Sequence, residues 1–330
     1  MAFIFHALSA RFWAPRFWLP GDKTWDDLVS TPEMPLPSTG DLWLGLYTAL
    51  FLFVLRFIFE RTIATSVAVS VGIPPRRVLP WPSPPCASLE RLFLDDPSSR
   101  RPDAATLRRL AEERNLPPRQ VASWFRSYRR AYNSRTKTQL IDKFNESFWR
   151  FVYYLSIFIY GLVVLWDKDW FWETRHCWIG WPEKIPLDAS IRWYYMLEIG
   201  FYTSLFISQF FDVQRKDFWQ MFTHHVATLI LLSASWVTNM VRIGSLVLIV
   251  HDAVDWLLEI SKLTNYAKWE RLCEACFVAF ASVWFASRLV YFPLVVIRSC
   301  LFEATATLEE QGIEAKVDLL GMDDDDDDDW

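Results

Sequence analysis

Of 330 residues, 52% are apolar and 17% aromatic, with 19 Trp and 26 Phe against only 10 Gly, which excludes a loop-rich secreted chain and exceeds what one soluble core uses. The mean hydropathy of +0.10 is too low for a chain that is membrane throughout, so a polar insert is expected among apolar spans. The net charge of −5 comes from the acidic run Asp323 to Asp329; without it the body carries about +2, and nothing global points to nucleic acid.

The first 20 residues are broken by Arg11, Pro15 and Arg16 before any apolar run reaches signal-peptide length, so no cleavage is expected. Six stretches then approach the roughly 20 apolar residues that cross about 30 Å of hydrocarbon as helix. They lie near 42–59, 148–166, 192–211, 218–237, 243–260 and 277–297. The last is interrupted by Arg288 and Pro293, and the fourth and fifth contain His, Asp and Glu that must face inward. The loop 60–147 carries sixteen Lys and Arg, whereas residues 1–41 and 167–191 carry three each. The basic loop is therefore expected on the cytoplasmic side and the N-terminus opposite it. The sequon Asn145-Glu146-Ser147 then lies cytoplasmic and stays unmodified. Cys at 86, 177, 273, 276 and 300 are odd in number and fall in regions that would not share a compartment, so no disulfide framework is expected.

Within the basic loop, a Pro-rich connector at 80–85 precedes an amphipathic helix over 103–114, with Leu107, Leu110 and Ala111 on one face. Leu116-Pro117-Pro118 breaks it, and 119–132 form a second helix carrying Val121, Trp124, Phe125 and Tyr128 together with Arg126, Arg129 and Arg130. Gln120-Val121-x-x-Trp124-Phe125 followed by arginines resembles the recognition helix of a homeodomain. The Asn that reads adenine there is replaced by Ser127, so sequence-specific DNA is not an expected partner. The basic surface lies against anionic headgroups or sets topology.

The chemistry concentrates in two spans. His224 and His225 sit near the cytoplasmic end of the fourth, and the fifth places His251, Asp255 and Glu259 at helical spacing, with Asp252 at the edge of that stripe. An ionised residue near the bilayer centre costs about 2.5–3.5 kcal/mol on insertion scales, so such a concentration marks a functional site. Metal binding is one reading, since imidazole and carboxylate are ordinary ligands, but five His are few for the His-rich clusters of a membrane di-iron centre. Cys273 and Cys276 have no second pair and read as packing. Acyl transfer is the other reading: imidazole attacks an acyl group or removes a proton, and a carboxylate on its other nitrogen fixes the tautomer. An amine acceptor must first lose a proton, which at pH 7 costs about 4 kcal/mol for an alkylammonium.

His224-His225 after Arg215-Lys216-Asp217-Phe218, then Asn239, Arg242 and Gly244, then His251-Asp252-x-x-Asp255-x-x-Leu258-Glu259, Lys262 and Asn265-Tyr266 resemble the ceramide synthase family and its TLC membrane domain. Phe17-Trp18-Leu19-Pro20 and the homeodomain-like insert are similar to animal members, so the likeness runs from about 12 to 303. The resemblance implies an endoplasmic reticulum enzyme that joins a fatty acyl group from acyl-CoA, its co-substrate, to the amine of a sphingoid base, with no metal or other cofactor. It implies His224, His225, His251, Asp252 and Asp255 as catalytic residues; Arg215 and Lys216, at the cytoplasmic mouth, are expected to attract the CoA phosphates or to set topology. Membrane lipids and pairing with itself or with other ceramide synthases complete the implied partners. After Phe302-Glu303 the family continues into one more span, whereas here ATATLEEQGIEAKV leads to poly-Asp.

The expected architecture is thus all-α: a polytopic transmembrane helical bundle of about six spans without the family's last, plus a small cytoplasmic helix-turn-helix insert. Its parts are a lumenal segment 1–41, a first span 42–60, the homeodomain-like segment 88–134, the TLC catalytic domain 135–303, and a divergent, acidic, disordered tail 304–330. A non-catalytic membrane protein that binds lipid or regulates a full-length partner is the competing reading, and a membrane-tethered DNA-binding regulator a third.

Overall fold

The computed structural model describes residues 12–75, 78–84, 87–95, 100–213 and 216–313. Arg215, Cys86 and residues 314–330 with the poly-Asp run lie outside them. Every regular element among the described residues is helical.

α1 (Asp41–Ser70) begins where the Asp41 carboxylate accepts from Ser38 N at 3.1 Å and places a negative charge at the positive end of the helix dipole. α2 (Ala87–Asp95) and α3 (Ala104–Glu113) follow; Asp103 caps α3 by accepting from Thr106 N at 2.9 Å. Asn115, at φ +53, closes α3 and lets Leu116 N reach Ala111 O at 2.9 Å. Leu89 and Phe93 of α2 complete an apolar cluster with Leu110, Ala111, Val121, Trp124, Phe125 and Tyr128, so the insert has three helical members rather than the two expected.

The second member does not stop at 132. It runs on as α4 (Pro118–Leu165), 48 residues and about 70 Å of unbroken helix that carries the expected 148–166 span within it. No Gly or Pro stands between Pro118 and Gly161, so the polar stretch that reads as a connector has nothing to end the helix. The expected boundary at 134/135 therefore falls inside one rod.

α5 (Ala189–Ser208), α6 (Phe218–Val237) and α7 (Val241–Tyr266) come next. The last rod, α8 (Glu270–Glu310), widens into π-type turns over Phe285–Ile297, where Pro293 has no amide to give a regular ladder. The first part of the stretch expected as disordered tail, Ala304–Glu310, is helical. Ala304, Thr307 and Leu308 are buried, the first and last of them beside Cys177, Trp178 and Ile185. Thr174 Oγ1 donates to Glu303 Oε2 at 2.6 Å, Gly180 N donates to Gln311 Oε1 at 3.0 Å, and Arg175 pairs with Glu310. Tertiary contact holds a stretch whose composition alone reads as tail.

α1, α4 and α8 are long and apolar enough to cross a membrane, and each turns large apolar side chains outward, such as Trp43, Leu50 and Phe51 on α1 and Phe277, Phe285 and Leu294 on α8. This is a helical membrane protein. α5, α6 and α7, of 20, 20 and 26 residues, are long enough to span but carry the polar side chains of the site.

α7 packs along both α4 and α8, while α5 packs along α1 and α6. The main core joins Trp149, Tyr153 and Ile157 of α4 to Tyr194, Tyr195 and Phe201 of α5, Trp236 of α6 and Ile249 of α7. α1 and α5 approach closely because small residues face each other. A Cβ on Gly45 would strike Ile199, and one on Gly200 would overlap Thr48 and stand 3.0 Å from Ala49 N. Thr48 Oγ1 contacts both Gly45 O at 2.8 Å and Met196 O at 2.9 Å, tying the helices together.

Gly200→Leu is expected to wedge α5 from α1 and destabilise the protein by about 1–3 kcal/mol, read as a lower melting temperature in detergent. At the start of α5, Asp188 bonds Lys168 at 2.8 Å and Ser190 N at 3.0 Å; the lysine first, then the backbone donor, lowers its carboxyl from 3.8 to about 2. A carboxyl depressed on folding stabilises above about pH 4 and loses that contribution as pH falls through about 2. Asp188→Asn should accordingly show a shallower loss of stability than the parent between those values.

Candidate functional site

Tyr194, Glu198 and Tyr202 recur every four residues and so line one face of α5. All three are buried. The hydroxyl of Tyr194 lies where only a glycine fits beneath it, since a Cβ at Gly161 of α4 would stand 2.8 Å from that oxygen. From there Tyr194 donates to Asp252 Oδ2 of α7 at 2.7 Å. Its neighbour Tyr195 rests in the same way on Gly244, and its hydroxyl pairs with Ser235 at 2.9 Å.

The two histidines of α6 are consecutive and therefore point about 100° apart. His225 is buried, and its Nδ1 lies 2.9 Å from Gln209 Oε1. Gln209 Nε2 donates to Phe218 O at 2.7 Å, which leaves Oε1 to accept; His225 thus carries its proton on Nδ1 and keeps a lone pair on Nε2. His224 is exposed on the helix surface. The Tyr202 ring lies 6.3 Å from the His224 ring and 6.4 Å from the His225 ring, so α5 reaches both imidazoles.

On α7 the expected stripe divides between two neighbours. Asp252 faces α5 through Tyr194, whereas Asp255 faces α8, where Arg288 Nη2 donates to its Oδ1 at 3.0 Å. His251 donates from Nδ1 to Val247 O at 2.7 Å, packs edge-on against Phe292 at 5.2 Å, and lies within electrostatic range of His224 and Arg288. Glu259 takes Lys262 at 2.6 Å. The sequence reading gives the orienting role to a carboxylate; the observed partners of the imidazole Nδ1 atoms are instead an amide side chain and a helix carbonyl.

The structure thus gathers His224, His225, His251, Asp252 and Asp255 around the junction of α5, α6, α7 and α8. Lys216 is exposed in the turn before α6. Asn239, Arg242 and Gly244 have architectural parts. Asn239 makes the turn from α6 to α7 at φ +55, and its side chain donates to Pro182 O at 2.6 Å. Arg242 donates to His176 O at 2.8 Å and stacks 4.7 Å over Trp170.

Sequence reasoning missed five residues. Glu198 is fully buried with neither carboxylate oxygen bonded, although it is the single acid in the expected span 192–211, a signal that was there to be read. Gln209 and Tyr194 gave no sign, because polar and aromatic residues are ordinary in helices. Arg56 and Arg150 also sit in apolar stretches; both bind Asp212, at 2.6 and 3.0 Å, and Arg56 also binds Glu60 at 2.6 Å. A cavity of about 510 Å³ opens beside that network, lined by Arg56, Arg61, Asp142 and Asp212 among others.

The TLC domain family matches residues 143–320. Ceramide synthase 5 of Homo sapiens is 40% identical over 293 residues, which is 88% of this chain and 72% of that protein. Ceramide synthase 4 of Bos taurus is 38% identical over 298 residues, 90% and 74% of the two chains. Ceramide synthase hyl-1 of Caenorhabditis elegans is 36% identical over 299 residues, 90% and 68% respectively.

Tyr194→Phe removes the one bond Asp252 makes and leaves a buried acid unserved. Chemical denaturation in detergent should show a loss of about 1–3 kcal/mol.

Proposed function

The chain belongs to the ceramide synthase family, and we propose from this that it transfers a fatty acyl group from acyl-CoA to the amine of a sphingoid base, in the endoplasmic reticulum membrane and by imidazole chemistry. The observation that carries the mechanism is the meeting of His224 and His225 with Tyr202, two helical turns along the same face of α5 from the Tyr194–Asp252 bond.

His225 is the better-defined imidazole. Gln209 holds its Nδ1 proton, so Nε2 is free to attack the thioester carbonyl or to accept a proton from the amine. In either route the C–S bond of acyl-CoA breaks, the C–N bond of the amide forms, and one of the nitrogen's protons passes through imidazole to the departing thiolate. His251, with its own Nδ1 proton fixed on Val247 O, and Asp255, held by Arg288, keep the neighbouring field set while charge moves through the site. The reading needs no cofactor besides the acyl-CoA co-substrate.

Six helices cross the bilayer in this reading, with the basic half of α4 and the connection before α6, whose sequence includes Arg215 and Lys216, on the cytoplasmic side, where a CoA phosphate is drawn to positive charge. The exposed arginines Arg126 and Arg130 of the insert then face anionic headgroups.

The test uses microsomes from cells without endogenous activity, supplied with acyl-CoA and labelled sphinganine. The parent chain should make ceramide, undiminished by chelator, and His224→Ala and His225→Ala should each lower turnover about 10²-fold or more. Absence of product from a well-folded parent overturns the catalytic reading in favour of a lipid-binding or regulatory partner of another ceramide synthase.

A further inference from the structure

Glu198 has no part in the contacts described so far. It is fully buried in the centre of α5, and neither Oε1 nor Oε2 has a hydrogen-bond partner. Asp252, also fully buried, satisfies Oδ2 through Tyr194 but leaves Oδ1 without a partner. Other acids of the interior have a cation of their own: Asp255 has Arg288, Glu259 has Lys262, and Asp212 has Arg56 and Arg150. The electrostatic neighbours of Glu198 are instead two more acids, Asp252 and Asp255.

Its position is set by helical spacing. Tyr194, one turn before it, is bonded to Asp252, and Tyr202, one turn after it, lies against His224 and His225. Each four-residue step is about 6 Å along the axis, so Glu198 stands between the acid on one side and the imidazoles on the other. The surroundings are aromatic: Tyr153 stacks on Phe201 at 3.6 Å, and Tyr154 meets Phe201 edge-on at 5.2 Å.

We propose that Glu198, with Asp252, forms an acidic subsite that receives the ammonium head of a long-chain primary amine and takes its proton. This rests on the acyl-transfer reading above. Burying acids without counter-charge in a membrane interior is costly unless a cation completes them. An ammonium group has three N–H donors, and Glu198 Oε1, Glu198 Oε2 and Asp252 Oδ1 are three acceptors without partners. Aromatic walls suit an organic ammonium with an alkyl chain better than a hydrated inorganic ion.

The step balances. One proton leaves the ammonium for the Glu198 carboxylate, giving the neutral amine; its nitrogen forms the C–N bond at the acyl carbon as the bond from that carbon to sulfur or imidazole breaks. A second proton leaves nitrogen through imidazole to make the CoA thiol, and Glu198 releases the first to bulk water. Ammonium and thioester have then become amide, thiol and one proton.

Glu198→Gln and Glu198→Asp in the full chain test the assignment in the same microsomes. For Glu198→Gln, the KM for sphinganine should rise about tenfold or more while the KM for acyl-CoA stays within twofold, roughly what losing a charged hydrogen bond implies. A sphinganine analogue with hydroxyl in place of the amine should inhibit the parent poorly, and Glu198→Gln should lose that preference for the amine. Glu198→Asp, which keeps the charge on a shorter arm, should fall between them. An unchanged sphinganine KM with unchanged preference overturns the subsite, as does an equal rise in both KM values alongside a lowered melting temperature, which marks a structural acid. Should the folded parent make no ceramide, the function reading fails separately. The subsite is then decided by melting in detergent, where sphinganine and not its hydroxyl analogue must stabilise the parent but not Glu198→Gln.

Discussion

The membrane interior supplies no water, so every polar side chain placed there must be served by another part of the protein, and the Tyr194–Asp252 bond is where that requirement organises the bundle. It joins α5 to α7 across a fully buried contact, and it forms because Gly161 lets α4 approach the tyrosine hydroxyl from the third side. Three helices therefore depend on one hydrogen bond and one absent Cβ. The Gly45 and Gly200 contacts do the same for α1 against α5, with Thr48 giving its hydroxyl to the neighbouring helix.

Around that anchor the ionisable groups divide by whether the protein provides a counter-charge. Asp255 is matched by Arg288 of α8, and Asp212 by Arg56 of α1 and Arg150 of α4, pairs that tie separate parts of the bundle together, while Lys262 serves Glu259 within α7. Glu198 and one oxygen of Asp252 are not matched. Matched acids hold geometry; unmatched ones retain the capacity to take a proton or a cation, and here Glu198 lies one helical turn from Tyr202, whose ring meets those of His224 and His225. His225 and His251 have their Nδ1 protons fixed by Gln209 and Val247 O respectively, so each presents Nε2 as its free nitrogen.

The residues between the two histidine-bearing helices show how a motif can be mostly architecture. Asn239 takes the left-handed turn that ends α6, Arg242 pins the incoming chain by stacking on Trp170, and Gly244 makes room for Tyr195. Together they set the start of α7, and a shift of one residue there would turn Asp252 away from α5.

Much of this was open to the sequence alone. Apolar runs of membrane length, the anomalous His and Asp within two of them, and their helical spacing determined an all-helical membrane protein with a polar interior site, because lipid tolerates such groups only for a reason. The tertiary structure decided what local pattern has no means to state. It made one 48-residue rod of a polar helix and a span, since nothing between Pro118 and Gly161 could end it, and it kept 304–310 helical because Leu308 had a buried face to meet. It also determined which acids have partners: Glu198 and Asp255 are both acids in apolar spans, and only the presence of Arg288 of α8 beside one and of further acids beside the other tells them apart.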